Sequence, residues 1–179
     1  MCGQGFEVPE AKLMFRKRHQ GRMRVYHGSN QIVEKPRILE PKHTTDFGRG
    51  FYTTESEKQA EEWAVKIKGR RKTAHAYVSE YEYEGSDDIV VIIFDGPTEE
   101  WFDFVHSNRV DNIEHDYDII IGPVADDSVY ETIFSYEAGL LTKEQAITAL
   151  KAAELDGQVL FHTDKSLECL RYLGYKEVR

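Results

Sequence analysis

"DFGRGFYTTESEKQAEEWA", Asp46 to Ala64, sets a glycine-flanked aromatic pair directly against the start of a helix. Phe51-Tyr52-Thr53-Thr54 is a strand-forming phrase of aromatic and β-branched residues. Gly48 and Gly50 ahead of it permit a bulge, a positive φ or the close approach of another group. From Glu55 or Ser56 to about Lys68 the pattern turns helical, with Ala60, Trp63, Ala64 and Ile67 at i, i+3, i+4 and i+7 on one packing face.

Upstream of this unit, residues 1–23 read as a loose arm with a short helix at Glu10–Arg18, and residues 24–179 as one domain. That domain opens with a strand, Arg24-Val25-Tyr26, which ends in the turn-forming His27-Gly28-Ser29-Asn30. Downstream, "AHAYVSEYEYE" alternates as a half-buried strand, while "DIVVIIFD" and "YDIIIGPV" read as buried ones. Pro97 to Val110 between these two is helical, packing through Trp101, Phe102, Phe104 and Val105. "DSVYETIFSYEAG" is a helix ended by Gly139, and Thr142 caps the next, "TKEQAITALKAAEL". A strand from Gln158 to His162, a helix through "DKSLECLRYL" and an edge strand "YKEVR" complete the chain. Strands and helices interleave irregularly, which favours α+β over a doubly wound parallel sheet.

The chain has 179 residues, 40% of them hydrophobic and 12% aromatic, enough for a core without disulfides or metal. A net charge of −9 argues against a wide surface for duplex nucleic acid, yet two basic clusters stand out: Arg16, Lys17, Arg18, His19, Arg22 and Arg24, and Lys66, Lys68, Arg70, Arg71 and Lys72. Each reads as a solvated tail or helix end unless a partner covers it. Cys2 and Cys169 lack metal-ligand spacing, no stretch approaches the ~18 apolar residues of a bilayer span, and no signal pattern opens the chain, so a reducing cytoplasm is expected.

Several chemistries fail on spacing. Gly48-Arg49-Gly50 lacks the third glycine of a dinucleotide loop, no Lys-Ser/Thr follows a G-x-x-x-x-G, and neither H-E-x-x-H nor G-x-S-x-G occurs. No metal is expected; Asp126-Asp127 alone is a poor Mg²⁺ site. Three polar phrases at strand ends remain: "YHGSN", "FGRGFYTT" and "GQVLFHT".

In order, these phrases resemble the W-H-G-S, F-G-K-G-I-Y-F-A-D and S-K-S-A motifs of the poly(ADP-ribose) polymerase and diphtheria-toxin branch of ADP-ribosyltransferases. They are closer still to DUF3990, a bacterial family assigned to that superfamily, whose phrases match Tyr26–Ser29, Asp46–Thr54, Gln59–Ala64, Tyr117–Asp127 and Gln158–Thr163. The resemblance implies a split, mostly antiparallel sheet whose cleft binds NAD⁺ as co-substrate. It also implies a mono-ADP-ribosyltransferase acting on a macromolecular acceptor, as the toxin of a toxin–antitoxin pair or a defence factor. Net acidity favours a protein acceptor over nucleic acid.

By the same resemblance His27 bonds the adenosine-side ribose, the Gly28 backbone clamps the nicotinamide amide, and Ser29 bonds the ribose or the amide. Tyr52 stacks on the nicotinamide, with Trp63 as the candidate for its other face or else a core residue. Arg49 reaches the pyrophosphate or faces solvent. The transferases start their last strand with a glutamate that holds the ribose 2′-hydroxyl; here that position is Gln158, which accepts a hydrogen bond but brings neither charge nor a base. Asp126, Asp127 and Glu131 are the acidic residues that could substitute, unless they cap a helix or lie exposed on it. If the glutamine disables transfer, an NAD⁺- or ADP-ribose-binding module or an NAD⁺ glycohydrolase remains. Arg109 and Asp118 read as a structural ion pair, and His162 as part of a strand-to-helix transition.

Overall fold

A computed structural model describes residues 21–39, 45–111, 113–124, 127–153 and 155–179, with only the backbone of residues 111, 127 and 128. Its elements run β1 (Arg22–Ser29), β2 (Phe51–Thr53), α1 (Glu57–Arg71), β3 (Ala76–Glu84), β4 (Val91–Ile93), α2 (Glu99–Asp111), β5 (Ile119–Pro123), α3 (Asp127–Glu137), α4 (Lys143–Ala152), β6 (Gly157–Phe161), α5 (Asp164–Glu168) and β7 (Leu170–Val178). The fold is α+β. The expected helix at Glu10–Arg18 lies outside the described residues, and the first strand starts at Arg22, two residues before the expected boundary.

The strands form two sheets. One is antiparallel in the order β1-β3-β7; the other runs β2-β6-β5-β4 and is antiparallel except for the β4–β5 pair. An isolated bridge links them, Tyr26 and Thr54 exchanging N–H···O bonds of 2.8 and 3.0 Å.

Side-chain alternation sorts residues into layers. On β6, Val159 and Phe161 enter a core shared by both sheets with Val25, Phe51, Tyr81, Tyr83 and Ile119. Leu160 faces the other way, into a core with Ile120, Trp101, Phe102 and Phe104. Trp101, Phe102, Phe104 and Val105 are all buried, as the spacing predicts for α2. Beyond β1 and β3, α1 packs through Ala60 and Ala64 on Ala76 and Val78.

That last contact corrects the reading of Trp63. A Cβ added to Gly28 would stand 2.0 Å from the Ala60 carbonyl oxygen and 2.9 Å from the Ala64 nitrogen. The helix therefore lies against the strand backbone, and only alanines fit between them. Trp63 is displaced to the edge of the face and is 45% exposed.

The second correction is at the C-terminus. α5 stops at Glu168, and the remainder of "DKSLECLRYL" enters β7, which pairs with β3 over most of that strand's length. Thr163 supplies a capping box with Ser166, which starts this short helix. Leu167, Leu170 and Leu173 mimic helical spacing, but the open edge of β3 offers a ladder of backbone hydrogen bonds that a longer helix would forgo. Caps expected at Thr142 and Gly139 are present: Thr142 forms a capping box with Gln145, and Gly139 has φ 71° just past α3. Among the described residues no helix is long and apolar enough to cross a membrane.

Candidate active site

The bridge between the sheets lies at the motif strands. One residue beyond it, His27 Nδ1 is 2.7 Å from the Tyr52 carbonyl oxygen. A carbonyl only accepts, so Nδ1 carries the proton and Nε2 keeps a lone pair. The imidazole packs on Phe51 with ring centroids 4.6 Å apart. Burial holds its pKa below the ordinary 6.5, outweighing the opposing pull of the backbone hydrogen bond. Next to it, Gly28 is the point at which α1 touches β1, and Ser29 Oγ accepts the Gln31 N–H at 3.4 Å, shaping the turn.

Tyr52 faces away from Phe51, toward the helical core. Its hydroxyl donates to the Gly48 carbonyl at 2.7 Å and accepts the Phe47 N–H at 3.3 Å. Thr45 Oγ1 donates to the same carbonyl at 2.6 Å, so the loop before β2 folds over the phenol. Burial pushes the phenol pKa above its usual range, keeping it a donor. Both glycines here are conformationally required: Gly48 has φ 84°, and Gly50, at φ 150°, would place a Cβ 2.5 Å from the Phe161 carbonyl oxygen.

The loop is also fixed to α2. Asp46 Oδ1 accepts from Arg109 Nη2 at 2.6 Å and Nε at 3.1 Å. The two side chains are only 12% and 8% exposed, and the guanidinium lies 3.6 Å from the ring centroid of Tyr130 on α3. Arg109 Nη1 is buried with no hydrogen-bond partner among the described residues. Arg109 and Asp118 thus both form ion pairs, but not with each other. Asp118 accepts from Lys165 Nζ at 2.8 Å, the Val90 N–H at 2.8 Å and Thr163 Oγ1 at 2.7 Å. Burial alone would raise its pKa, and these three donors more than offset that and hold it low.

Gln158 is the second residue of β6, pairing with Gly122 two positions from the Tyr52–Leu160 pair and on the same face. It is buried, and its Nε2 donates to the Pro123 carbonyl at 3.3 Å, where Trp101 Nε1 also donates at 3.2 Å. That leaves Oε1 as an acceptor with no partner among the described residues. Of the acidic substitutes, Asp126 and the Asp127 side chain lie outside the described residues, and Glu131 is exposed on α3.

Two contacts were not foreseen. His162 Nδ1 donates to the Arg49 carbonyl at 2.7 Å, pinning the loop from below, while the Arg49 side chain is exposed. His115 packs against His162 with centroids 4.4 Å apart and the rings tilted by 42°, and neither His115 ring nitrogen has a partner of good geometry among the described residues. Their spacing of 47 residues carries no local signal. Burial, with His162 beside it, drives the His115 pKa down to about 4.

Two histidines with depressed pKa values give a sign to the pH dependence. Between the folded and unfolded values the unfolded chain binds more protons, so stability falls as pH drops from about 6.5 toward about 4. Asp118 contributes its loss only below its ordinary 3.8. Urea midpoints at pH 7 and pH 4.5 should therefore differ, and His115→Phe should flatten the slope; equal midpoints in the native chain would refute this.

A cavity of about 320 Å³ lies elsewhere, lined by Glu82, Glu84, Glu168, Cys169, Leu170 and Arg171 at the other end of the β1-β3-β7 sheet. Its carboxylates suit no phosphate-bearing ligand, so the motif strands remain the better candidate. Among the described residues no three His, Cys, Asp or Glu side chains are grouped to hold a metal ion.

A family model described as a protein of unknown function (DUF3990) matches residues 23–172. No curated protein and no solved structure matches the chain. The matched span runs from the second residue of β1 into β7 and takes in all the motif phrases, and the chain belongs to the DUF3990 family.

Proposed function

We propose that the protein is an NAD⁺-dependent mono-ADP-ribosyltransferase that acts on a macromolecular acceptor. The observation that supports this reading best is the 2.7 Å hydrogen bond from His27 to the Tyr52 carbonyl. It brings the two strongest motif phrases together where the sheets part, with Gln158 on the Tyr52 face of the neighbouring strand.

The residue chemistry suits the reaction. The nicotinamide–ribose bond breaks with its electron pair leaving on the ring nitrogen. The acceptor's nucleophile then bonds to the ribose carbon and releases its proton. Positioning dominates such a step, because the leaving group is neutral and the ribose gains oxocarbenium character. His27 Nε2 offers a lone pair to a ribose hydroxyl, and the Gly28 backbone offers an amide-sized donor and acceptor. Tyr52 contributes a flat ring held by its hydroxyl, and Gln158 Oε1 an acceptor for the 2′-hydroxyl.

Gln158 also favours a second reading, a module that binds NAD⁺ or ADP-ribose without transfer, because an uncharged side chain cannot stabilise the oxocarbenium electrostatically. Incubation with NAD⁺ labelled in the adenylate and with cell lysate separates these readings. Label on a macromolecule supports transfer, with His27→Ala and Tyr52→Ala each lowering it at least about 10²-fold, as for loss of a positioning group. Free ADP-ribose indicates a glycohydrolase, binding without nicotinamide release the module, and neither binding nor turnover ends the proposal.

Gln158→Glu has a structural consequence of its own. A buried carboxylate there would face the Pro123 carbonyl, to which Nε2 now donates beside Trp101 Nε1, so the variant should lose about 1–3 kcal/mol of stability by urea unfolding at pH 8 and less at pH 4. An unchanged midpoint at both pH values would show that the side chain can turn away.

A further inference from the structure

We propose that the C-terminal half of α1 docks a single strand of nucleic acid, with a base stacked on Trp63 and phosphates held by Lys66, Arg70, Arg71 and Lys72. From Trp63 to Lys72 the sequence carries five cations and no carboxylate. Trp63, Lys66 and Arg70 fall at i, i+3 and i+7, one face of the helix, and all three are exposed or half-buried at its surface. The acidic first half of α1 is answered locally: Glu62 pairs with Lys58, and Glu57 and Glu61 both pair with Lys176. Among the described residues none of Lys66, Lys68, Arg70, Arg71 and Lys72 has a carboxylate partner. A chain of net charge −9 therefore carries a small, uncompensated positive face.

The helix dipole accounts for cations in the last turn, but not for an indole left in water. The Arg70 guanidinium lies over one face of the Trp63 ring, 5.5 Å from its centroid, which holds a cation beside the indole and leaves the other ring face and the guanidinium plane for an unpaired base to stack on. Paired bases have no free face, so a duplex gains only from the charges. A peptide of carboxylates alone likewise gains only from the charges. Position supports the assignment as well. Arg71 Nη1 reaches Asn30 Oδ1 at 3.3 Å, so the basic end of α1 adjoins the turn after Ser29, at the rim of the candidate site. A strand held there is placed as an acceptor in the reaction proposed above; that role rests on the transferase reading, whereas the binding does not.

The test is fluorescence anisotropy with labelled oligo(U) and oligo(dT) of about 15 nucleotides, enough to span a single site of this kind, in the absence of NAD⁺. Trp63→Ala should weaken binding about tenfold. The double variant Lys66→Glu/Arg70→Glu should lessen the slope of log K against log salt by about 1.4, near 0.7 for each phosphate no longer neutralised. Trp101 is buried, so quenching of the native fluorescence reports Trp63, and circular dichroism checks that the exposed substitutions leave the fold intact. The proposal is overturned if the native chain binds neither strand at low salt or if Trp63→Ala binds as tightly as the native chain. It is also overturned if a duplex, a Glu-rich peptide or a phosphatidylserine vesicle binds more tightly. Displacement of the strand by NAD⁺, with NAD⁺ affinity lost in Trp63→Ala, would assign the indole to the nicotinamide instead.

Discussion

Gly28→Ala should lower stability by about 3 kcal/mol, the upper end of the cost of overpacking. The added Cβ would meet the Ala60 carbonyl oxygen at 2.0 Å, the Ala60 carbon at 3.0 Å and the Ala64 nitrogen at 2.9 Å. All three are helix backbone, so no side chain can turn aside and α1 must move as a body. Gly157→Ala is the control, since nothing lies within 4 Å of its added carbon. Its stability should change by less than about 0.5 kcal/mol in urea unfolding. The comparison decides between two reasons for the glycine in "YHGS". An unchanged midpoint with NAD⁺ binding lost would mean that the residue serves the ligand; a large loss of stability means that it first serves the helix.

Arg109→Met should cost about 3 kcal/mol, because it removes the guanidinium that the buried Asp46 carboxylate pairs with. Removal of one partner of a buried pair ranges from about 3 to 5 kcal/mol, and the unpartnered Nη1 places this pair at the low end, since part of the guanidinium's own desolvation is uncompensated. Asp46→Asn in the same background should recover part of the loss, and the double-mutant cycle measures the coupling directly. The effect should also be local. Amide exchange at Gly48, Arg49 and Gly50 should speed up in Arg109→Met more than at the β3 ladder, because Asp46 anchors the loop that closes over Tyr52. Equal acceleration everywhere would make the pair a general stabiliser and not a loop anchor.

What the sequence reveals here is what short-range pattern governs. The strand at Phe51–Thr53, the buried stripe of α2 and the caps at Thr142 and Gly139 all follow from residues within a few positions of one another. Trp63 misleads because its spacing is right and its size is wrong: the close approach of α1 at Gly28 admits alanines and excludes an indole, a constraint set by a residue 35 positions away. β7 misleads because three leucines at helical spacing sit on a segment whose partner strand lies about 90 residues upstream, as for Leu170 opposite Tyr83. The Asp46–Arg109 pair spans 63 residues and the His115–His162 ring contact has no motif, so neither was legible as a contact. At the site itself, the phrases locate His27, Tyr52 and Gln158 on adjoining strands, whereas the direction of each hydrogen bond required coordinates.

The order in which the strands join their sheets constrains how the chain can be made. The β1-β3-β7 sheet contains the first and the last of the described strands, and the whole of the other sheet is threaded between them in sequence. Any single cut between β1 and β7 therefore divides that sheet, and neither piece holds it complete. During synthesis, β3 waits with one edge open while about 85 further residues are added, until Leu170–Val178 arrives to cover it. An unpaired edge of that length is a template for association with other chains. The nine residues of β7 are thus also the ones that end the exposure of this edge in the nascent protein.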